Sequence, residues 1–412
     1  MRIAYVCADL GIPVFGRKGC SIHVQEVIRA LIDLGAAIEL FTVRPEGERP
    51  QGLESVRLHG LPFVAPAGRA AREQAALRAN DQFLAALERA GPFDLVYERY
   101  ALWSYAGMEY ARVGGMPGLL EVNAPLVEEE TEYRGLIDRA AACRVAERVF
   151  AAATALIAVS EELAAYLQRF PGTHGRVHVI PNGVDPRRFP AGLPPSCPGP
   201  PGVFTVGFVG TLKPWHGLAT LVEAFALLQR AVPKVRLLIV GDGPERPRLE
   251  EHLRSHGLQE AACFTGAVSP GAVPGLLASM DVAVAPYPSL ASFYFSPLKV
   301  FEYLTAGLAV VASRVGQVAA VIEHEVNGLL CPAGVADELA TALVRLHREP
   351  GLRSRLGQAA RATVLQNYTW EAVGHRILRL AALDPEHRES ATVRASALAL
   401  PGGGCCGEMS SA

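Results

Sequence analysis

Short apolar runs of strand length alternate with longer amphipathic stretches along most of this 412-residue chain. This alternation predicts parallel sheets whose strands are joined by crossover helices, because a buried parallel strand reads as a continuous apolar run. A helix is expected from about Ser21 to Leu34, ended by Gly35. The strands expected in the first half are RIAYVC, AIELFTV, DLVYER, GLLEV, ALIAV and VHVI.

A segment dense in proline and glycine, at 181–202, interrupts the alternation with the sequence PNGVDPRRFPAGLPPSCPGPPG. The alternation then restarts with VFTVGFVG, VRLLIVGDG, ACFTG, DVAVAPY and LAVVAS. We therefore predict two doubly wound α/β domains, over 1–190 and 203–369, joined by a hinge at 191–202. A ligand is expected between them, because such sheets bind ligands at the carboxyl ends of their strands.

Two segments follow the second domain. The stretch TWEAVGHRILRLAAL predicts a helix, assigned to 370–384, that crosses back to the first domain. Residues 385–412 are small, rich in Gly and Ser and without aromatic residues, which is typical of a disordered tail. Cys405 and Cys406 in this tail are interpreted as an incidental pair rather than a lipidation or redox site.

Charge and cysteine usage limit the partners and the location. The 39 Lys and Arg residues and 41 Asp and Glu residues give a net charge of −2, which offers no electrostatic footprint for nucleic acid. Eight scattered cysteines without a Cys-x-x-Cys pair favour a reduced, cytoplasmic chain. The longest apolar run, from Val149 to Val159, is shorter than the roughly 20 residues that span a bilayer. A peripheral contact with a membrane stays open.

The loop GIPVFGRKGCSIH follows the first expected strand and approaches the pattern of a phosphate-binding loop. In a Walker A loop, Lys and then Ser or Thr follow the second Gly, whereas Arg17 follows Gly16 here. With Gly19, these residues are expected to let the backbone approach the distal phosphate of a donor or the acceptor. Lys18 and Ser21 are expected nearby.

The stretch SPLKVFE, 296–302, predicts an anion site at the start of a helix. Ser296 is expected to be the N-cap and Pro297 the first helical residue, so that free N–H groups near Leu298 and Lys299 meet an anion. Glu302 lies on the same helix face and is suited to accept hydrogen bonds from a ribose diol. The alternative is a capped helix with a solvated Glu and Lys.

Two strand ends in the second half add candidates. Lys213 follows the strand that ends at Gly210, and Pro214 keeps it out of the helical region, so its side chain is expected to reach a phosphate. The turn at Gly241 and Asp242 is expected to admit a flat base. A surface lysine and a purely conformational turn are the alternatives.

Five motifs together, FVGTLKPWHG, IVGDGP, FTGAV, SPLKVFEYLTAG and VIPNGVD, resemble those of retaining glycosyltransferases with the GT-B fold, often labelled group 1 or family 4. The resemblance covers roughly Arg2 to Leu383. It implies two Rossmann-like domains facing across a cleft and transfer of a hexose, with retention, from a nucleotide sugar, here expected to be a UDP-sugar. It also implies catalysis without a metal or resident cofactor, and no Asp-x-Asp metal clamp occurs in the sequence.

The resemblance assigns the donor diphosphate to Lys213 and to the amides of the SPLK turn, and the ribose to Glu302. In a front-face mechanism the donor phosphate takes the acceptor's proton, so catalysis depends on stabilising the leaving diphosphate. The expected catalytic residues are Lys213, Glu302, Lys299 and Asn123. The expected donor-binding residues are Gly16, Arg17, Gly19, Gly210, Thr211, Lys213, Gly241, Asp242, Val268, Ser296, Pro297, Leu298, Lys299 and Glu302.

Two positions depart from the family pattern. Tyr294 stands where the first Glu of the Glu-x7-Glu motif is usual, and Asn123 stands near where many relatives carry a His. Asn123 can hydrogen-bond a sugar hydroxyl but cannot act as a base. The residues expected on the acceptor side are His23, Glu98, Arg99, Glu121, Asn123 and Tyr294.

The acceptor itself stays open, as a small molecule, a glycan or a lipid-linked sugar. The two departures keep a second possibility open, a catalytically weakened subunit that binds nucleotide sugars. A UDP-sugar epimerase of the same fold is a further alternative, although it needs paired acid and base residues. A phosphorylase is disfavoured because it is expected to be much longer and to hold a pyridoxal-phosphate lysine.

Overall fold

The computed structural model describes residues 1–61, 67–290 and 292–382. The expected tail at 385–412, with Cys405 and Cys406, and the last two residues of the expected helix at 370–384 lie outside these ranges.

The first domain is built on a sheet of seven parallel strands in the order β3-β2-β1-β4-β5-β6-β7. All six strands expected in the first half are present. β3 was not predicted, because this short edge strand is polar and partly exposed. The strands are β1 (Arg2–Cys7), β2 (Ala37–Thr42), β3 (Arg57–Gly60), β4 (Leu95–Arg99), β5 (Gly118–Val122), β6 (Ala155–Ala158) and β7 (Val177–Val179).

The second domain is built on six parallel strands in the order β10-β9-β8-β11-β12-β13. The five expected strands are present, and the three-residue β13 was too short to be predicted from its apolar run. These strands are β8 (Phe204–Val209), β9 (Val235–Val240), β10 (Ala262–Phe264), β11 (Val282–Ala285), β12 (Ala309–Ser313) and β13 (Leu329–Cys331). The predicted pair of doubly wound, Rossmann-like α/β domains is therefore confirmed.

Helices cover both faces of each sheet. The helix expected from Ser21 begins at Gly19, and Gly35 follows its end with a φ of 85°, which only glycine adopts without strain. The helices are α1 (Gly19–Asp33), α2 (Arg69–Ala90), α3 (Ala106–Gly114), α4 (Leu126–Glu129), α5 (Arg139–Ala152), α6 (Glu161–Leu167), α7 (Leu218–Ala231), α8 (Arg246–Ser255), α9 (Val273–Leu277), α10 (Leu298–Thr305), α11 (Gly316–Val321), α12 (Ala336–Arg348), α13 (Pro350–Asn367) and α14 (Trp370–Leu380).

Alternate residues of β1 divide the core of the first domain into two layers. Ala4 and Val6 face the layer formed by α2, α3 and α5, whereas Ile3 and Tyr5 face α1 and α14. Trp370, at the start of α14, is buried in that second layer. The last described helix of the chain thus completes the core of the first domain.

The chain crosses between the domains twice, at neighbouring positions. The N–H of Val184 donates to the carbonyl of Tyr368 at 3.0 Å, and the N–H of Trp370 donates to the carbonyl of Val184 at 3.1 Å. A Cβ at Gly183 would lie 2.9 Å from the nitrogen of Trp370, so the close approach requires glycine. The two crossing segments therefore run as one paired connection.

The proline-rich segment is held against the second domain. Phe189 packs in the core of that domain, the N–H of Ser196 donates to the carbonyl of Gly275 at 2.9 Å, and the N–H of Cys197 donates to the hydroxyl of Ser279 at 3.0 Å. A hinge at 191–202 stays a prediction, while the paired connection lies just before it.

Candidate active site

A cavity of about 620 Å³ lies between the two domains, at the carboxyl ends of their strands. Its walls are formed by the segments after β1, β5 and β6 and the last residue of β4 on one side. On the other side they are formed by the segments after β8, β9, β10 and β11 and by the start of α10. The predicted site residues that line it are Arg17, Gly19, His23, Arg99, Asn123, Gly210, Thr211, Gly241, Asp242, Val268, Ser296, Pro297, Leu298, Lys299 and Glu302. The predicted residues outside its lining are Gly16, Glu98, Glu121, Lys213 and Tyr294.

Several buried polar atoms around the cavity have no hydrogen-bond partner within the described ranges. Leaving such an atom unpaired costs about 1–3 kcal/mol, so native proteins rarely gather them without a ligand or water. Their convergence from both domains indicates that the cavity binds a polar ligand. The atoms are His23 Nδ1, Arg99 Nη1, Asn182 Oδ1 and Lys299 Nζ.

Helix α10 begins at the cavity, one residue later than expected. Pro297 occupies the cap position with an extended backbone, and Leu298 is the first helical residue. The prediction that Ser296 caps the helix was wrong, because its hydroxyl accepts the N–H of Asn182 at 3.0 Å and so joins the paired connection to α10. The first turn of α10 still offers N–H groups and a positive helix end to an anion.

Lys299 brings a buried ammonium group to this helix start. Its Nζ lies 4.2 Å from the centre of the Phe208 ring and 5.6 Å from that of Tyr287. Burial lowers the pKa of Lys299 to about 7, with the nearby Glu302 acting in the opposite direction. A Cβ at Gly210 would lie 2.7 Å from Nζ, so the glycine leaves room for the lysine. Lys299 is therefore suited to meet the negative charge of a diphosphate.

Lys213, which was expected to reach a phosphate, lies outside the cavity lining. Pro214 does keep its backbone extended, with φ −119° and ψ 152°. Its Nζ, however, lies 5.6 Å from the centre of the Trp215 ring, and Lys213 is not part of the cavity lining. A 3₁₀ turn from Pro214 to His216 lengthens the connection, so that Thr211 and His216 line the cavity instead.

His216 is a cavity residue that the sequence did not reveal. Its Nδ1 lies 2.6 Å from the carbonyl oxygen of Thr211. Burial, together with the charges of Lys299 and Lys213, lowers its pKa to about 3. The ring is therefore neutral at physiological pH, and Nδ1 donates to the carbonyl. His216 lies directly before Gly217, which caps the start of α7. This position beside a helix start is the sequence signal that could have identified it.

Glu302 lines the cavity one turn after Lys299, as expected, and it has an unexpected partner. Arg188 Nη1 donates to Glu302 Oε1 at 3.2 Å, and both side chains line the cavity. Burial raises the pKa of Glu302 above the ordinary carboxyl value, and the Arg188 guanidinium opposes that shift. Arg188 was missed because the PRRF stretch carried no motif that pointed to the cleft.

The turn after β9 approaches the cavity as expected. Gly241 has a φ of 130°, and a Cβ there would lie 2.2 Å from the carbonyl oxygen of Gly210. Asp242 Oδ1 accepts the N–H of Gly243 at 2.7 Å, which fixes the turn. Val268, from the loop after β10, completes this wall. The wall offers a flat, largely backbone surface to a ligand.

The first domain contributes a buried network of charges. His23 Nε2 lies 2.5 Å from Glu121 Oε1, and Arg99 Nη1 lies 3.7 Å from Glu121 Oε2. Burial acts to raise the pKa of Glu121, but His23 and Arg99 outweigh it and lower the pKa below the ordinary carboxyl value. Glu121 is thus an ionised group behind the lining, and its two partners, His23 and Arg99, line the cavity.

Glu98 does not belong to this network, although it was expected on the acceptor side. Because side chains alternate along β4, Glu98 lies on the opposite face of the sheet from Arg99. It accepts hydrogen bonds from the hydroxyl of Ser104 at 2.5 Å and from the N–H of Met108 at 3.1 Å. Burial raises its pKa to about 7. Glu98 is a structural residue beneath α3.

In the loop after β1, Gly16 also has a structural role. A Cβ there would lie 2.8 Å from Pro13 Cγ, and the carbonyl of Gly16 accepts the Gln25 side chain at 2.9 Å. Arg17 and Gly19 line the cavity, so the loop reaches the site one residue after the glycine that was expected there.

Tyr294 turns away from the cavity and joins the two domains. Its hydroxyl donates to Glu129 Oε2 at 3.1 Å, and its carbonyl accepts the hydroxyl of Ser160 at 3.0 Å. It lines a second cavity, of about 740 Å³, which shares Trp215 and Phe295 with the first. Tyr294 therefore lies outside the lining of the first cavity, and its expected place on the acceptor side stays a prediction.

The described ranges contain no group of three or more His, Cys, Asp and Glu residues arranged to hold a metal ion. None of their helices is both long enough and apolar enough to cross a membrane.

Comparisons with known proteins agree with this architecture. The structure resembles sucrose-phosphate synthase from Thermosynechococcus elongatus, with a TM-score of 0.72 and 22% identity over 95% of this chain and 100% of that one. It also resembles Anabaena Alr3699/HepE in complex with UDP, with a TM-score of 0.70 and 19% identity over 93% and 100%. At these identities the likeness supports the fold.

Sequence comparison defines the family. D-inositol 3-phosphate glycosyltransferase from Kribbella flavida is 28% identical over 395 residues, which cover 87% of this chain and 89% of that protein. The family model described as Glycosyltransferase Family 4 matches residues 17–188, and the model described as Glycosyl transferases group 1 matches residues 203–349. The two matched ranges together cover more than three quarters of the sequence. As its motifs predicted, the chain belongs to the group 1 and family 4 glycosyltransferases.

Proposed function

We propose that this glycosyltransferase transfers a hexose from a UDP-sugar to a hydroxyl group of its acceptor, with retention and without a metal. The observation that carries the proposal is the convergence of unpaired buried polar groups from both domains on one cavity. Lys299 and the first turn of α10 would meet the diphosphate, Glu302 the ribose, and the turn at Gly241 the base. The UDP bound to the HepE protein supports the choice of nucleotide.

On the opposite wall, His23, Arg99 and Asn123 would position the acceptor. In the front-face reaction, the acceptor oxygen forms a bond to the anomeric carbon while the bond to the diphosphate breaks on the same face. The acceptor proton passes to the leaving phosphate oxygen, so the protein need not supply a base. Lys299 and Arg17 would stabilise the charge that develops on the diphosphate.

A transfer assay with a panel of nucleotide sugars tests this proposal. UDP-glucose and its isomers, with D-inositol 3-phosphate as the first acceptor because of the relative's name, would be incubated with and without EDTA. We expect an EDTA-resistant product whose anomeric linkage, measured by NMR, matches that of the donor. An inverted linkage would contradict retention, and loss of turnover in EDTA would contradict catalysis without a metal.

A nucleotide-sugar-binding subunit with weakened catalysis is the second candidate. The position of Tyr294 favours it, because no carboxylate from the usual first Glu position reaches the cavity. Tight UDP binding without turnover for any donor and acceptor pair would support this candidate over the transferase.

A further inference from the structure

We propose that Arg188 is a positioning residue for nucleotide binding: it holds the Glu302 carboxylate in place for the donor ribose and thereby sets the preference for a ribose with both hydroxyls. This inference rests on the proposed ribose role of Glu302.

The guanidinium group of Arg188 connects two walls of the cavity. Its Nη1 donates to Glu302 Oε1 at 3.2 Å, and its Nη2 donates to the carbonyl of Pro270 at 2.9 Å. Pro270 belongs to the loop after β10, beside the expected base wall. Because the planar guanidinium group uses two nitrogens on two elements, it is itself held in place and gives one carboxylate oxygen of Glu302 a fixed donor.

The groups around Glu302 act in opposite directions on the pKa of its carboxyl group. Glu26, on α1 of the first domain, acts with burial to raise the pKa of Glu302, whereas Arg188 and the more weakly acting Lys299 lower it. A protonated carboxyl group would present one oxygen as a donor, while an ionised one accepts from both hydroxyls of a diol. Arg188 therefore opposes protonation of the group and favours the form that accepts from both hydroxyls.

Arg188 is carried by the connection between the domains and not by α10. It ends a 3₁₀ turn from Pro186, just after Val184 pairs with the returning chain. The adjacent Arg187 points elsewhere, since it pairs with Asp185 at 2.9 Å and with Asp33 at 3.3 Å, and its side chain is 70% exposed. Arg187 thus provides a matched control one residue away.

The test compares binding of UDP, 2′-deoxy-UDP and 3′-deoxy-UDP by calorimetry to the full chain and its variants. In the wild type, removal of either hydroxyl should weaken binding by about tenfold. In Arg188→Met, UDP should bind about tenfold more weakly, while the affinity for the two deoxy nucleotides should fall by less than about threefold. Arg188→Lys should restore part of the preference, and Arg187→Met should keep all of it.

Equal weakening of all three nucleotides by Arg188→Met would overturn the inference, because it would indicate a general electrostatic or structural role. Unchanged UDP binding would overturn it as well. Thermal melting identifies a variant that has lost its fold, and Arg188→Lys then provides the comparison. If the wild type binds UDP and the loss of either ribose hydroxyl leaves its affinity unchanged, the proposed role of Arg188 is contradicted. A UDP-sugar then still stands as the proposed donor. If the wild type binds no UDP, the proposed function fails first.

Discussion

The two halves of the cavity are built in different ways. The second domain presents backbone and helix-start groups from contiguous motifs, with Lys299 and Glu302 one turn apart on α10. The first domain presents side chains from separate elements, namely His23 from α1, Arg99 from β4 and Asn123 from the segment after β5. The first kind of site is fixed by local sequence, whereas the second exists only when distant elements pack together.

The difference also appears in how charge is held. In the second domain, the ammonium group of Lys299 lies among aromatic rings, with no hydrogen-bond partner among the described residues. In the first domain, the charge of Glu121 is shared between His23 and Arg99. A charge without a hydrogen-bond partner is free to meet a ligand's charge, while the charge of Glu121 is already balanced within its network. The half formed by the second domain thus fits an anion.

The largest expected effect concerns the two lysines. Lys299→Met should weaken UDP binding about a hundredfold, because it removes a buried charge from the diphosphate site. Lys213→Met should change it less than about threefold, since that ammonium group lies over Trp215 and outside the cavity. Calorimetric titration with UDP measures both, and a larger effect at Lys213 would reverse the assignment.

The next largest expected effect tests whether the two halves of the cavity act independently. Glu121→Gln should lower kcat/KM of transfer about thirtyfold while UDP affinity stays within about threefold, because the changed charge belongs to the acceptor wall. Glu98→Gln, in the neighbouring strand, should leave both quantities unchanged, since Glu98 faces the other side of the sheet. Steady-state kinetics and UDP titration provide the comparison. Equal loss of UDP affinity in Glu121→Gln would show that the halves are not independent.

The pH dependence sharpens the same comparison. Because burial lowers the pKa of Lys299 to about 7, most of its amino groups are neutral above that pH, and binding of a diphosphate to the ammonium form should take up a proton. The UDP dissociation constant should therefore rise by up to about tenfold per unit between pH 7 and 9. Titrations at pH 8 in buffers of different ionisation heat should show uptake of nearly one proton. Lys299→Met should lose both the slope and the uptake.

The smallest expected effect is at the contact between the domains. Tyr294→Phe removes the hydroxyl that donates to Glu129, and UDP affinity should change by less than about threefold, because the ring lies outside the cavity. The change in melting temperature, set against UDP titration, measures the separate contribution of this contact to stability. A large loss of UDP affinity would place Tyr294 in the donor half after all.

The sequence predicted the lining that the second domain contributes better than the lining that the first domain contributes. Gly210, Gly241, Lys299 and Glu302 follow strand ends or a helix start, and such positions are set by spacing along the chain. Lys213 lies outside the cavity lining, whereas His216, at the end of the 3₁₀ turn that follows it, lines the cavity. A motif does not show which of two residues three positions apart has its side chain in the cavity.

The sequence by itself determined the two doubly wound domains, since buried parallel strands must be apolar and their connections amphipathic. It also determined the start of α10 to within one residue. Only the tertiary structure decided that Glu98 is buried away from Arg99, that Tyr294 joins the domains, and that Arg188 meets Glu302. The physical reason is that strand faces and ion pairs depend on register and packing between segments far apart in the chain.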